Sequence, residues 1–182
     1  VPAHMVERTC VNNEEACKSL VESGDAGTAF IAKACLKKYV ESSSCESILE
    51  RDNYNDNMLS EACQGSSSKS ICDTLADYEG VSTNNLYSSC NASSNEKVCD
   101  TLAEDPNATG SQLVHSCFYT NYSATSACEA SMKKEDVPSH MVERTCINNK
   151  DACKSLVESG DAGAAFVEKA CSLGYVDISY CN

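Results

Sequence analysis

Tryptophan is absent from these 182 residues, phenylalanine occurs three times, and the hydrophobic share of 42% is inflated by 14 cysteines. So few large apolar side chains exclude one deep core for a chain of this length and favour small stacked units. No stretch approaches 18 consecutive apolar residues, so no membrane insertion is expected. Basic residues are scarce: 14 Lys and Arg face 27 Asp and Glu, for a net charge of −13. That balance argues against nucleic acid and against acidic lipid surfaces, and reads most simply as a solubilising coat. The Val1 start carries neither a basic stretch nor an apolar one of the secretory type, so any signal peptide has been removed or lies outside the segment.

Close cysteine pairs are missing too. The nearest two are seven residues apart, whereas structural zinc and iron–sulfur sites use C-x2-C spacing or nearby histidines, so no metal or other cofactor is expected. No G-x-S-x-G, H-E-x-x-H, Walker-type or dinucleotide pattern occurs, and the chain does not read as an enzyme. The three histidines do not cluster: His4 and His140 are equivalent positions of a duplication, and His115 stands alone before Cys117. Asp52 to Asp56, within ERDNYNDN, is the densest group of oxygen ligands. It lacks the Gly and terminal Glu of a calcium-binding helix-loop-helix and reads as a polar turn.

What is present is periodicity. Six times a cysteine is followed 18 positions later by another: Cys17 and Cys35, Cys45 and Cys63, Cys72 and Cys90, Cys99 and Cys117, Cys128 and Cys146, Cys153 and Cys171. The steps between these pairs vary from 7 to 11 residues, so a unit of constant length is joined by elastic connectors. Above it lies a longer period: residues 137–182 repeat residues 1–46 with about 70% identity. Five units of about 27 residues therefore make one 136-residue super-repeat. Copies this similar suggest recent duplication, and the segment reads as part of a longer array or a product cut from one.

Within each unit the apolar positions follow a helical period. Three or four residues after the first cysteine stand Leu20 and Val21, Ile48 and Leu49, Leu75 and Ala76, Leu102 and Ala103, and Leu156 and Val157; the fifth unit is weaker, with Ser131 and Met132. Four residues before the second cysteine stand Ile31, Leu59, Leu86, Leu113, Val142 and Val167. Immediately before it comes a small residue every time, Ala34, Ala62, Ser89, Ser116, Thr145 or Ala170, which reads as a packing seam. Turn formers separate the two helical stretches, and Asn- or Ser-rich connectors such as Asn12-Asn13 and Ser66-Ser67-Ser68 separate the units. Pro2 and Pro138 suit a first helical turn.

The expected fold is all-α: a disulfide-stapled α-solenoid of helical hairpins at about 14–35, 42–63, 67–90, 94–117, 124–146 and 149–171. These hairpins form one continuous array over 1–182, with partial units at both ends. Two disulfide schemes remain open. The favoured one closes each hairpin, Cys17–Cys35, Cys45–Cys63, Cys72–Cys90, Cys99–Cys117, Cys128–Cys146 and Cys153–Cys171, because those cysteines are level across the turn. It leaves Cys10 and Cys181 for inter-chain bonds or a continuing chain. The rival crosses the connectors, Cys10–Cys17, Cys35–Cys45, Cys63–Cys72, Cys90–Cys99, Cys117–Cys128, Cys146–Cys153 and Cys171–Cys181, and uses all fourteen.

A cysteine content near 8%, even in number, points to an oxidising compartment, hence a secreted or cell-surface protein. Three sequons, at Asn91, Asn107 and Asn121, fall in expected turns or connectors and are candidate N-glycosylation sites. The serines of the connectors at 42–44 and 66–68 suit O-linked sugars, although capping alone accounts for them. Two functions follow. One is a structural extracellular repeat protein that self-associates head to tail into a filament, appendage or coat. The other is a secreted binding module for a protein or glycan, with Tyr54, Tyr78, Tyr87, Phe118, Tyr119 and Tyr122 marking its face.

Overall fold

The computed structural model describes residues 3–181, without the side chains of residues 3, 4, 6, 7 and 11; Pro2 and the His4 side chain lie outside the described residues. Among the described residues the structure is helical with no strand. The chain divides into two compact units, one through Val98 and one from Cys99, with the division inside a single helix, Glu96–Glu104.

In the first unit α1 (Ala3–Asn12), α3 (Thr28–Leu36), α5 (Asp56–Ser66) and α7 (Thr83–Ser93) contact one another in succession. Between them run α2 (Glu14–Glu22), the short α4 (Ser42–Cys45) continued as a 3₁₀ turn (Glu46–Glu50), and α6 (Lys69–Ala76). Helix α8 (Glu96–Glu104) follows. In the second unit α9 (Gly110–Tyr119) contacts α11 (Ser139–Asn148), and α11 contacts α13 (Ala164–Ser172). Their companions are α10 (Thr125–Met132) and α12 (Lys150–Ser159), and a 3₁₀ turn (Ile178–Tyr180) closes the described chain.

Each expected hairpin interval thus holds two helical stretches and a turn. The 42–63 interval departs in detail: its first stretch has one α turn and then tightens to 3₁₀. Inside the 3₁₀ turn the Ser47 hydroxyl donates to the Ser44 carbonyl at 2.7 Å, a local side-chain bond of the kind that competes with helical backbone bonds.

Each unit has its own aliphatic core: Ile31, Ile48, Leu59, Leu75 and Leu86 are buried in the first, and Leu102, Leu113 and Met132 in the second. The residue before each second cysteine, Ala34, Ala62, Ser89, Ser116, Thr145 or Ala170, is fully buried in every case. Small side chains there let helices approach closely, and Gly65 of α5 shows how closely. A Cβ added to it would lie 1.9 Å from the Cys35 carbonyl oxygen and 2.2 Å from its carbon, so α3 and α5 touch through backbone. The two end copies depart from the pattern: Leu20 is exposed and Leu156 half-buried, while Val21 and Val157, one position on, are buried.

Candidate functional site: connector disulfides and inter-helix polar bonds

All fourteen cysteines are disulfide-bonded and none is free. The bonds cross the connectors: Cys10–Cys17, Cys35–Cys45, Cys63–Cys72, Cys117–Cys128, Cys146–Cys153 and Cys171–Cys181, with Cα atoms 4.8–5.9 Å apart. This corrects the favoured hairpin scheme, so Cys17–Cys35, Cys45–Cys63, Cys72–Cys90, Cys99–Cys117, Cys128–Cys146 and Cys153–Cys171 are not the bonds formed. Cys10 and Cys181 are not spare; each pairs within the chain.

Geometry decides between the schemes. Cys17, Cys45, Cys72, Cys128 and Cys153 each stand three residues after the start of a helix. Their partners Cys10, Cys35, Cys63, Cys117 and Cys146 stand one to three residues before the end of the preceding helix. A connector as short as Asn13 or Asn149 sets those two turns side by side, within disulfide reach. Across the hairpin turn the same cysteines lie six or seven residues from the bend, where helices leaving a common turn have room to diverge. Chain entropy hardly distinguishes the schemes. Closing an 18-residue loop instead of a 10-residue one adds only about 0.5 kcal/mol to a contribution of about 3 kcal/mol.

The connectors themselves are built by serine. Ser67 and Ser94 end α5 and α7 in the left-handed conformation, at φ 52° and 53°. One residue earlier, Ser66 and Ser93 donate to the carbonyls of Ala62 and Ser89, both at 2.6 Å, and accept from the backbone N–H of Ser68 and Asn95. The Ser66 hydroxyl is therefore engaged in closing the helix end, whereas Ser68, at the N-cap of α6, makes no side-chain capping bond. Ser68 and Ser70 both donate to Glu46 Oε1, at 2.8 and 2.9 Å, and these bonds hold its carboxyl below the ordinary range.

The polar stretch at 52–57 works as a turn that ties helices together. Asn55 caps α5 by accepting from the Met58 N–H at 3.0 Å, and the Thr28 hydroxyl donates to Asn53 Oδ1. Asp56 Oδ2 accepts from Asn85 Nδ2 at 2.8 Å and from the Ser82 N–H at 3.2 Å. Partial burial raises the Asp56 pKa, yet these donors outweigh it and leave the pKa lowered. Asp73 is lowered as well, first by the Lys69 ammonium that donates to it and with help from Asn95. Among the described residues no three His, Cys, Asp or Glu side chains are grouped to hold a metal ion.

The sequons separate. Asn107 and Asn121 are exposed in turns, Asn121 at φ 52°. Asn91 instead lies in the last turns of α7, half-buried, with its Oδ1 enclosed and without a partner, so the expectation of a connector position fails there. Helix α7 runs three residues beyond the expected hairpin end at Cys90 because the left-handed Ser94, not Asn91, ends it.

Aromatic side chains pair within each unit. Tyr54 and Tyr78 pair with ring centroids 6.4 Å apart. In the second unit Phe118 lies against Tyr122 at 5.3 Å and beneath the Arg144 guanidinium at 4.8 Å. Tyr119 is 65% exposed, with His115 beside it.

Fold and site together define an all-α, disulfide-rich protein in which no described helix is long and apolar enough to cross a membrane. No family model, curated protein or solved structure matches the chain.

Proposed function

We propose that this chain is a structural, non-enzymatic repeat protein of the extracellular space: a disulfide-stapled α-solenoid that builds or decorates a filament, appendage or coat. The observation that carries the reading is the way consecutive helices are joined. Polar bonds tie positions about one unit apart, including Lys33 to Glu61 at 2.7 Å, Ser60 to Ser89 at 2.9 Å, Asn85 to Asp56, and the Gly110 N–H to Asp136 at 2.9 Å. Every connector disulfide adds a covalent staple beside them. Such a stack gains length by adding units, each held to its neighbours alone. The staples oppose unfolding and proteolysis, and the excess of carboxylates keeps neighbouring stacks soluble and apart.

Sugars at Asn107 and Asn121, both exposed, fit the same exterior. A mass shift at these two positions after enzymatic removal of N-glycans from native material is the expected result. The test of assembly is electron microscopy of native material, in which filaments or a surface layer are expected and uniformly dispersed single particles would refute the reading. A secreted binding module is the second reading, favoured by the exposed Tyr119. It requires a ligand whose affinity falls when Tyr119 is replaced by Ser.

A further inference from the structure

We propose that the groove between α10 and the joint of α11 with α12 binds a neutral saccharide. The groove has a volume of about 620 Å³ and is bounded by Thr125 and Glu129 of α10, Ile147 and Asn148 at the end of α11, and Asp151 and Ser155 of α12. That volume is in the range of small-molecule sites. The proposal goes beyond the assembly reading and uses neither filament contacts nor Tyr119.

The internal duplication singles out this place. Residues 137–163 repeat residues 1–27 with four substitutions: Ser139 for Ala3, Ile147 for Val11, Lys150 for Glu14 and Asp151 for Glu15. Three of the four, at 147, 150 and 151, line the groove. Exposure alone does not account for the clustering, because Glu143, Lys154, Glu158 and Ser159 are exposed as well and are unchanged. Change has concentrated on one concave surface, and it includes a reversal of charge.

The walls are held in place by bonds of their own. The Cys146–Cys153 disulfide staples the end of α11 to the start of α12. Asn148 Nδ2 donates to the Arg144 carbonyl at 2.7 Å and Asn149 Nδ2 to the Thr145 carbonyl at 3.0 Å, so both amides are oriented. The Lys150 ammonium lies 5.0 Å from the centre of the Tyr175 ring. Walls fixed in this way spare a ligand the entropy of ordering them.

The chemistry of the lining selects the ligand. Carboxylates of Glu129 and Asp151 accept hydrogen bonds, while hydroxyls of Thr125 and Ser155 both donate and accept. Sugar hydroxyls have that same double capacity, and Ile147, 47% exposed, offers apolar contact to the C–H face of a ring. Phosphate and sulfate are disfavoured, because two carboxylates face one ammonium that already has an aromatic partner. Among the described residues no three His, Cys, Asp or Glu side chains are grouped to hold a metal ion. An extended peptide would need a sheet edge, and the described residues contain no strand. A helical peptide would need an apolar trough, whereas the apolar lining here is Ile147 and Ala152.

The test is isothermal titration of the full chain with N,N′,N″-triacetylchitotriose, mannotriose and maltotriose, each at up to millimolar concentration. At least one is expected to bind, and Asp151→Ala is expected to weaken that binding by about tenfold or more, as loss of a hydrogen bond to a charged group does. Restoring the first-copy residues together, Ile147→Val, Lys150→Glu and Asp151→Glu, is expected to weaken it too. Lys154→Ala, exposed on the same helix outside the groove, is expected to leave it unchanged. All these positions are exposed, and circular dichroism of each variant confirms that it folds. No heat from any of the three saccharides overturns the proposal. So does binding that survives both Asp151→Ala and Glu129→Ala, or inorganic phosphate that binds more tightly than every saccharide.

Discussion

Replacing Gly65 with Ala probes the closest helix contact in the first unit. On an isolated helix the change stabilises by about 1 kcal/mol, because alanine has the better propensity. Here the new methyl would sit 1.9 Å from the Cys35 carbonyl oxygen and 2.6 Å from the Leu36 Cα, both backbone atoms that no side-chain rotation can move. Helix α3 must shift by more than 1 Å, at the upper end of the overpacking range, about 3 kcal/mol. The net expectation is a loss of about 2 kcal/mol, which for a unit of this size lowers its melting temperature by roughly 8–16 °C. Three other glycines calibrate the measurement. Gly163→Ala meets the Lys134 carbonyl at 2.7 Å and should be intermediate, while Gly110→Ala meets Asp136 and Val137 side chains, which can yield, and should be milder. Gly27→Ala has nothing within 4 Å and should change stability by no more than about 0.5 kcal/mol. Thermal and urea unfolding followed by circular dichroism reads the series. A Gly65→Ala protein as stable as the native one, or more so, would falsify the close α3–α5 contact.

Ser116 and Thr145 bury hydroxyls without partners, so Ser116→Ala and Thr145→Val should leave stability unchanged or raise it by about 1 kcal/mol in denaturant titrations. Removing one staple with Cys63→Ala and Cys72→Ala together should lower stability by about 3 kcal/mol and hasten proteolysis between α5 and α6. Acid should weaken the fold. Asp56, Asp73 and Glu46 have lowered pKa values when folded, so their stabilisation is complete above the ordinary carboxylate range and is lost as pH falls through the folded values. Asp56→Asn should flatten that acid limb, measured as the midpoint of urea unfolding between about pH 5 and pH 2.

Helix positions and the seam were legible because both follow from short-range pattern. An aliphatic residue and a small one at fixed distance from each second cysteine suffice to place a buried helix face. The disulfide partners were not legible, because both schemes put every cysteine at one end of the helices. What selects between them is the closeness of consecutive helix ends, set by connectors that run from one residue, Asn13, to five, residues 37–41 and 120–124. Gly65 carried an unused signal, a lone glycine inside a helical pattern, which often marks a close backbone approach. Asn91 was misplaced because the helix stop comes from a serine in the left-handed conformation, a role more often taken by glycine or asparagine. Leu20 and Val21 offered no way to tell which would be buried, since that depends on the neighbouring helices and not on α2 itself.

Peptide mapping of the unreduced protein by mass spectrometry tests the central claim most directly. The account predicts linked peptides that join Cys35 to Cys45, Cys63 to Cys72 and Cys117 to Cys128, with no free thiol. Peptides joining Cys45 to Cys63 or Cys128 to Cys146 would contradict it.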